Sequence, residues 1–310
     1  MSPDELLEGR HPPTLGRCRT GWQTGAMSLG YWNQVQATGF EVPTDRPLDD
    51  LTAELTTMLG STEAEVRDGT AYPALATWID GGVYDDLLAG LGDGMTVGLS
   101  AGVGESGTDS VFRRSFSALI LAECLERDTA RHLLPGAKIM DWGDRIATWF
   151  LAEKDTRGYV PDKGWAHAIA HGADALGALG ESPHLAGPEL EVLLDVLAER
   201  VLQQPADEPL VAGETDRMVH AAMRILRRNT LGVDVLEPWV HRIGGAANPF
   251  GKGGASDPFP ATAAPQAFLR ALFVHLSLAP EAPTVRPDLL LVVIDALRMS
   301  NSAYLQVGTG

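Results

Sequence analysis

The chain has 310 residues, enough for one large domain or two ordinary ones with a sizeable buried core. Its 45% hydrophobic and 21% charged residues are typical of a soluble globular protein. The formal net charge of −17 argues against a nucleic-acid partner, because binding phosphates requires clustered Lys and Arg side chains.

The composition also argues against a membrane protein or a disulfide-stabilised one. No apolar run approaches the roughly 20 residues of a membrane-spanning helix, and charged residues interrupt the N-terminus before a signal-peptide core forms. The two cysteines, Cys18 and Cys124, stand far apart, which does not indicate a disulfide framework. We therefore expect no membrane partner and a reducing, cytoplasmic setting.

Residues 1–26 are rich in Gly, Pro, Thr and Arg and show no hydrophobic periodicity. Our hypothesis is that they form a disordered leader or result from an overcalled start codon. Residues 27–310 are expected to form a single α-helical domain.

Helical patterns begin with residues 47–59, where leucines repeat every three or four positions. The next helical pattern, residues 66–80, contains Pro73, which should break or offset the helix. A short helix over residues 83–91 is expected to end at Gly92.

Glycine is dense in residues 92–108. A phosphate-binding loop is one interpretation, but the Gly-x-x-x-x-Gly-Lys-Ser/Thr pattern is absent and no strand precedes it, so a flexible connection is favoured. Wide apolar faces then predict helices over residues 111–127 and 137–152.

The second half of the chain is predicted to be helical as well. The predicted helices span residues 188–202, 215–231, 238–243, 266–278 and 288–300. Residues 244–265 are rich in Gly and Pro, and the length of this connection makes it a candidate lid or binding loop. Because no segment alternates with period two, no sheet is predicted. The fold is expected to be all-α, with degenerate HEAT-like helical pairs stacked in an αα superhelix.

One candidate site stands near the middle of the chain. A helix that opens near Lys163 would carry His167, His171 and Asp174 on one face. Two imidazoles and a carboxylate can ligate one divalent metal ion and leave a position open for water or substrate. The glutamate that a zinc protease carries after its first His is missing, because position 168 is Ala. A ligand-binding or structural polar cluster, or a satisfied core, is the alternative.

Two further segments are candidates for the same site. Asp216 and His220 have the same spacing of four residues on another helix, and the two helices could converge in a groove. Arg157 is expected to fix the approach loop together with Asp155. Trp165 would project about 160° away from His167, which favours packing against a neighbouring helix.

Three strings carry a resemblance to a known family. They are Arg157-Gly-Tyr-Val-x-x-Lys-Gly-Trp-Ala-His-x-x-Ala-His-Gly-Ala-Asp174, Phe112-Arg-Arg-Ser-Phe-Ser-x-Leu119 and Tyr72-Pro-x-Leu-x-x-Trp-Ile79. The sequence resembles the uncharacterised bacterial domain-of-unknown-function family 2785 over roughly residues 60–300. This resemblance implies a helical protein and supplies no catalytic residues.

The sequence thus predicts a soluble helical protein with a polar pocket that binds a small ligand or a divalent metal. The predicted ligand-binding residues are His167, His171, Asp174, Asp216, His220 and Arg157. If a metal is bound, hydrolysis or hydration by a metal-bound water is the simplest chemistry. The alternative is a non-catalytic HEAT-like scaffold that binds another protein.

Overall fold

The structure, a computed structural model, describes residues 23–249, 257 and 259–305, with only the backbone given for residues 23–29. The predicted leader lies outside these residues, except that residues 23–26 begin helix α1 (Gln23–Ala37). The described residues fall into two units, divided between Glu41 and Val42. The boundary predicted after residue 26 stays a prediction.

The second unit is built almost entirely from helices, which confirms the predicted all-α class. The helices are α2 (Leu48–Met58), α3 (Ala64–Val66), α4 (Tyr72–Asp80), α5 (Leu88–Leu99), α6 (Ser110–Arg131), α7 (Gly136–Ala152), α8 (Ala168–Glu181), α9 (Gly187–Leu202), α10 (Glu214–Leu226), α11 (Val233–Ala246), α12 (Phe259–Leu278), α13 (Arg286–Ser300) and α14 (Ser302–Leu305). Within the described part of the chain, no helix is both long and apolar enough to cross a membrane.

The helices of this unit contact one another in two series. Helices α4, α6, α8, α10 and α12 contact each other in succession, and α5, α7, α9, α11 and α13 do the same alongside them. Consecutive helices therefore alternate between two layers, as in an αα superhelix. The HEAT-like type of superhelix stays a prediction.

Helix α8 is packed between α6 and α10, and its small residues explain how the three helices approach so closely. A Cβ atom on Gly180 would lie 2.5 Å from Cγ1 of Ile225 in α10, and one on Gly177 would lie 3.2 Å from the Ala221 backbone. A larger side chain at either position would push α10 away.

The helix predicted to end at Gly92 instead continues, because α5 runs from Leu88 to Leu99. Gly92 lies directly under the indole of Trp142, where a Cβ atom would overlap the ring. Glycine in this helix therefore serves close packing, and the prediction of a helix end was wrong.

The prediction of a helix opening near Lys163 was also wrong. Strands β1 (Tyr159–Val160) and β2 (Gly164–Trp165) form a short antiparallel hairpin, and α8 begins only at Ala168. Three residues of this segment have left-handed backbone conformations, with φ of 64° at Asp162, 83° at Gly164 and 50° at His167. Helical geometry is thus interrupted just before the predicted site.

The connection predicted over residues 244–265 is shorter than expected. Helix α11 extends to Ala246 and α12 begins at Phe259, with Pro265 inside it. The middle of the candidate lid, residues 250–256 and 258, lies outside the described residues.

Candidate functional site

A buried arginine anchors the hairpin that leads into the site. Arg67 begins a π-helical turn (Arg67–Ala71) between α3 and α4, in the place where Pro73 was expected to offset the helix. Its fully buried guanidinium donates to the backbone carbonyls of Ser61, at 2.7 Å, and Lys163, at 2.9 Å. It also pairs with Asp68 through two hydrogen bonds. These partners hold the hairpin against the π-helical turn.

The aromatic rings of α6 cover the same guanidinium. The Arg67 Cζ atom lies 4.1 Å from the centroid of the Phe112 ring and 5.0 Å from that of Phe116. Such cation–π contacts compensate part of the cost of burying the charge. Arg67 therefore has a structural role, with its hydrogen bonds and its aromatic contacts both made within the protein.

His171 is held by a hydrogen-bonded relay from α6 to the hairpin. The Ser115 hydroxyl forms a short hydrogen bond to the Ala166 carbonyl and lies 2.7 Å from Nδ1 of His171. A hydroxyl has one hydrogen, and a carbonyl only accepts, so Ser115 donates to Ala166 and accepts from His171 Nδ1–H. His171 is therefore fixed in the Nδ1–H form when neutral, and its Nε2 atom carries a lone pair.

Burial keeps this imidazole neutral. His171 is only 7% exposed, and its edge meets the Phe116 ring at 5.1 Å between centroids. Desolvation, followed by the charges of His167 and Arg217, lowers the pKa of His171 to about 3. Nε2 has no hydrogen-bond partner among the described residues, so it is a hydrogen-bond acceptor without a donor.

His167 occupies the turn that joins the hairpin to α8. Its backbone is left-handed, and its ring stacks on Trp165 with 4.3 Å between centroids. Trp165 was predicted to point away from His167, and this prediction was wrong because the segment is not helical. Nε2 of His167 is buried without a hydrogen-bond partner among the described residues, 3.9 Å from Oε1 of Glu214. Burial lowers the pKa of His167, and the Glu214 charge opposes this shift.

The third predicted ligand, Asp174, is already paired. Both of its carboxylate oxygens accept from Arg217 on α10, with Nε to Oδ1 at 2.7 Å and a shorter contact from Nη2 to Oδ2. The structure therefore brings His167 and His171 together, with 5.9 Å between ring centroids, but commits Asp174 to an ion pair between α8 and α10.

Of the remaining predicted site residues, Arg157 is joined to His167 through the backbone, because its carbonyl accepts from the His167 N–H. Arg157 pairs with buried Asp155 and donates to the Thr108 carbonyl, so it fixes the approach loop as expected. Asp216 is 68% exposed and lies 3.6 Å from His275 of α12. Burial and the charge of Arg224 lower the pKa of His220. No hydrogen bond or ion pair joins Asp216 or His220 to His167 or His171 within the described residues.

This geometry bears on the predicted metal ligands. In the described part of the chain, no group of three or more His, Cys, Asp or Glu side chains is arranged to hold a metal ion. Asp174 is neutralised by Arg217, and His167 is not on the same helix as His171.

Several groups that matter at this site were not predicted from the sequence. Ser115 and Arg67 lie far from the histidines in the chain, and Glu214 begins a different helix. Nothing in the spacing of these three residues links them to the histidines.

Three clefts formed by described residues lie away from the two histidines. Their volumes are about 240 Å³ between α9 and α11, 380 Å³ between α5 and α7, and 350 Å³ between α2 and α5. His167, His171 and Asp174 line none of these three.

Comparison with known proteins identifies the family of this chain. Searches of curated proteins and of solved structures found no match. A family model described as "Protein of unknown function (DUF2785)" matches residues 99–274, which include the hairpin, both histidines and Ser115. Because this match covers more than half of the 310 residues, the chain belongs to the DUF2785 family.

Proposed function

We propose that this protein binds a small ligand at the His171 site, and that the ligand donates a hydrogen bond to His171 Nε2. The observation that carries this proposal is the Nε2 lone pair of a largely buried, neutral imidazole that lacks a donor among the described residues. Among the described residues, His171 Nε2 is not one of the fully buried atoms without a partner, so it can accept a hydrogen bond from outside the protein.

The surroundings of His171 support binding. The left-handed backbone of His167 is a conformation that non-glycine residues avoid, and such strain is found preferentially at functional sites. The buried Nε2 of His167 is a second polar atom without a partner among the described residues. Arg67 and Ser115 fix the hairpin that leads into His167. The site is therefore already ordered before a ligand binds.

We do not extend the proposal to hydrolysis or to a divalent metal. The Ser115 hydroxyl is fully buried and donates to Ala166, so its proton is not transferred to His171 for nucleophilic attack. Asp174 is held by Arg217, which leaves two imidazoles rather than the predicted set of three ligands. The proposed setting is the cytoplasm, which is compatible with Cys124 being free and buried.

The test is a thermal-shift screen of a metabolite library against the wild-type protein and a His171→Phe variant, with His241→Ala as the control. His241 is exposed and lies on α11, so its removal leaves the site intact. We expect compounds that stabilise the wild type and the control but not His171→Phe, since a ligand stabilises only the protein that binds it. A library without any such compound would contradict the proposal.

A second candidate function is a non-catalytic scaffold that binds another protein. The observation that favours it is the exposed aromatic pair on the hairpin, Tyr159 at 59% and Trp165 at 44% exposure, with 5.1 Å between ring centroids. Tyr and Trp are enriched at protein interfaces. A scaffold predicts that a defined protein partner binds the His171→Phe variant normally and is lost from a Tyr159→Ser, Trp165→Ser variant. The opposite pattern would rule it out.

A further inference from the structure

A cleft of about 380 Å³ lies between α5 and α7, and His171 does not line it. Small-molecule pockets in proteins have volumes of about 300 to 1,000 Å³, so this cleft is large enough for a small ligand. Leu99, Trp149 and Ala152 line it together with Val103, which is 44% exposed. The cleft therefore offers an apolar surface to a small molecule.

The buried Arg114–Glu153 ion pair fixes two sides of this cleft. The Arg114 guanidinium donates to the backbone carbonyls of residues 101 and 102, directly before Val103, at 2.9 Å each. Glu153 accepts a hydrogen bond of 3.1 Å from the Trp149 indole. Both sides are thus ordered before a ligand binds, which lowers the entropic cost of binding.

Three charged side chains line the same cleft. Arg145 donates to Asp141 at 3.1 Å, so these two charges balance each other. Asp144 is exposed and has no ion pair among the described residues. One negative charge is thus left over, in a protein whose formal net charge is −17. The local charge and the overall charge both attract a cation and repel an anion.

We infer that this cleft binds a small organic cation, an amine with an apolar body. Its ammonium group pairs with Asp144, and its apolar part packs against Val103 and Trp149. This second site is separate from the one proposed at His171. The inference requires that the apolar body contributes to affinity, and that Asp144 supplies the preference for positive charge.

The experiment titrates the full-length protein, labelled with ¹³C at leucine and valine methyl groups, with four compounds. Phenethylamine is a cation with a ring, phenethyl alcohol and hydrocinnamate are its uncharged and anionic counterparts, and ethylamine is a cation without a ring. We expect phenethylamine to shift the methyl signals of Leu99 and Val103. Its dissociation constant should be at least about threefold lower than those of the other three compounds, as one exposed ion pair allows.

Two variants test the role of the charge. Asp144→Asn removes the unbalanced carboxylate, so phenethylamine should then bind no more tightly than phenethyl alcohol. The matched control is Glu237→Gln, which removes an exposed carboxylate of α11 that does not line the cleft. This control should keep the preference for phenethylamine, because it changes the net charge equally but leaves the cleft intact.

Each part of the inference can fail separately. An equal or lower dissociation constant for phenethyl alcohol or hydrocinnamate would show that the cleft does not select a cation. Ethylamine binding as tightly as phenethylamine would rule out the part assigned to the apolar surface. A preference for phenethylamine that survives Asp144→Asn would contradict the role of Asp144. If no compound shifts the Leu99 or Val103 signals at millimolar concentration, the inference is wrong.

Discussion

At the scale of single residues, the protonation of His171 is decided by Ser115 and Ala166, which belong to separate segments. The Ala166 carbonyl takes the only hydrogen of the Ser115 hydroxyl, so the hydroxyl oxygen must accept from the imidazole. Burial then removes the charged form, and the pKa of about 3 places protonation far below neutral pH. A histidine that titrates near pH 6.5 in an unfolded chain is thus a neutral acceptor here.

This burial predicts a pH dependence of stability. Below pH 6.5 the unfolded chain gains a proton on His171 that the native state does not bind until about pH 3. The free energy of unfolding should therefore fall as pH drops through this window, by about 1.4 kcal/mol per pH unit from this residue. Between pH 7 and pH 4.5, we expect the wild type to lose about 2 kcal/mol more than a His171→Asn variant in urea unfolding.

Because the comparison uses the difference between two pH values, any constant cost of the His171→Asn substitution cancels. A His241→Asn variant serves as the control, since His241 is exposed and should show the wild-type slope. Parallel pH profiles for the wild type and His171→Asn would contradict the buried neutral state.

The relay also predicts a single tautomer. Nitrogen NMR of labelled histidine should show His171 protonated at Nδ1 and bare at Nε2 at neutral pH. Ser115→Ala removes the hydroxyl that accepts the Nδ1 hydrogen, so the signals should move toward those of mixed tautomers. The matched control is Ser117→Ala, because the Ser117 hydroxyl donates to the Arg113 carbonyl in its own helix. A wild-type spectrum with Nε2 protonated would refute the relay.

The histidines themselves were predictable as a polar pair in an Ala-rich stretch, but their partners were not. Ser115 lies 56 positions before His171, in the separate helix α6. A hydroxyl in such a helix usually donates to its own backbone. Only the packing of α6 on α8 brings it to the imidazole.

At the scale of elements, the hairpin is held by contacts far along the chain. Arg67 binds the Lys163 carbonyl and Ser115 binds the Ala166 carbonyl, while Ala166 and His167 donate to the carbonyls of Gly158 and Arg157. The two strands have only two residues each, and a hairpin of this size is marginal by itself. Its stability therefore depends on the π-helical turn and on α6.

Gly164 tests this anchoring. Its φ of 83° is left-handed, and an added Cβ atom would lie 3.0 Å from the Ala64 Cβ and 3.1 Å from Arg67 Nη2. We expect Gly164→Ala to destabilise the protein by about 2 to 3 kcal/mol, from backbone strain and from displacement of the hairpin. Urea unfolding measures the cost, and the Trp165 indole signal reports the displacement.

Gly104 provides the control, because its φ is 86° but no atom lies within 4 Å of its added Cβ. Gly104→Ala should cost about 1 kcal/mol from the left-handed backbone alone. If both substitutions cost the same and Trp165 is unmoved, the close approach at Gly164 is not what holds the hairpin.

The helices were predictable as elements because their apolar spacing is a local property. Phe112, Phe116 and Ile120 are buried on α6, as the pattern indicated. Helix ends depended on tertiary contacts instead. Gly92 does not end α5 because its missing Cβ makes room for Trp142, and α8 starts late because the preceding residues bind Arg67 and Ser115.

At the scale of the whole molecule, a fully buried ion pair joins four segments. The Arg114 guanidinium donates to Glu153 at 2.6 and 2.9 Å, and to the carbonyls of Ala101 and Gly102. The Glu153 carbonyl accepts from Arg200 on α9. The glycine-dense connection before α6, predicted to be flexible, is thus tied to α7 and α9.

Removing the carboxylate should be costly. Glu153→Gln leaves the Arg114 charge buried without a countercharge, and we expect a loss of about 3 to 5 kcal/mol in the free energy of unfolding. The control is Asp141→Asn, which removes the exposed Asp141–Arg145 pair within α7 and should change stability by less than about 0.5 kcal/mol. Similar costs for the two variants would contradict the structural role of the buried pair.

The sequence by itself determined the all-α class, the positions of most helices and the two histidines, because hydrophobic spacing and local composition express these properties directly. Tertiary structure decided which polar groups meet. The sequence spacing made Asp174 a candidate metal ligand, but Arg217 of α10 forms an ion pair with it. Trp165 stacks on His167 because the hairpin replaces the predicted helix. Residues that packing brings together have no regular spacing in the sequence. The pairing of Ser115 with His171 is therefore visible only in the tertiary structure.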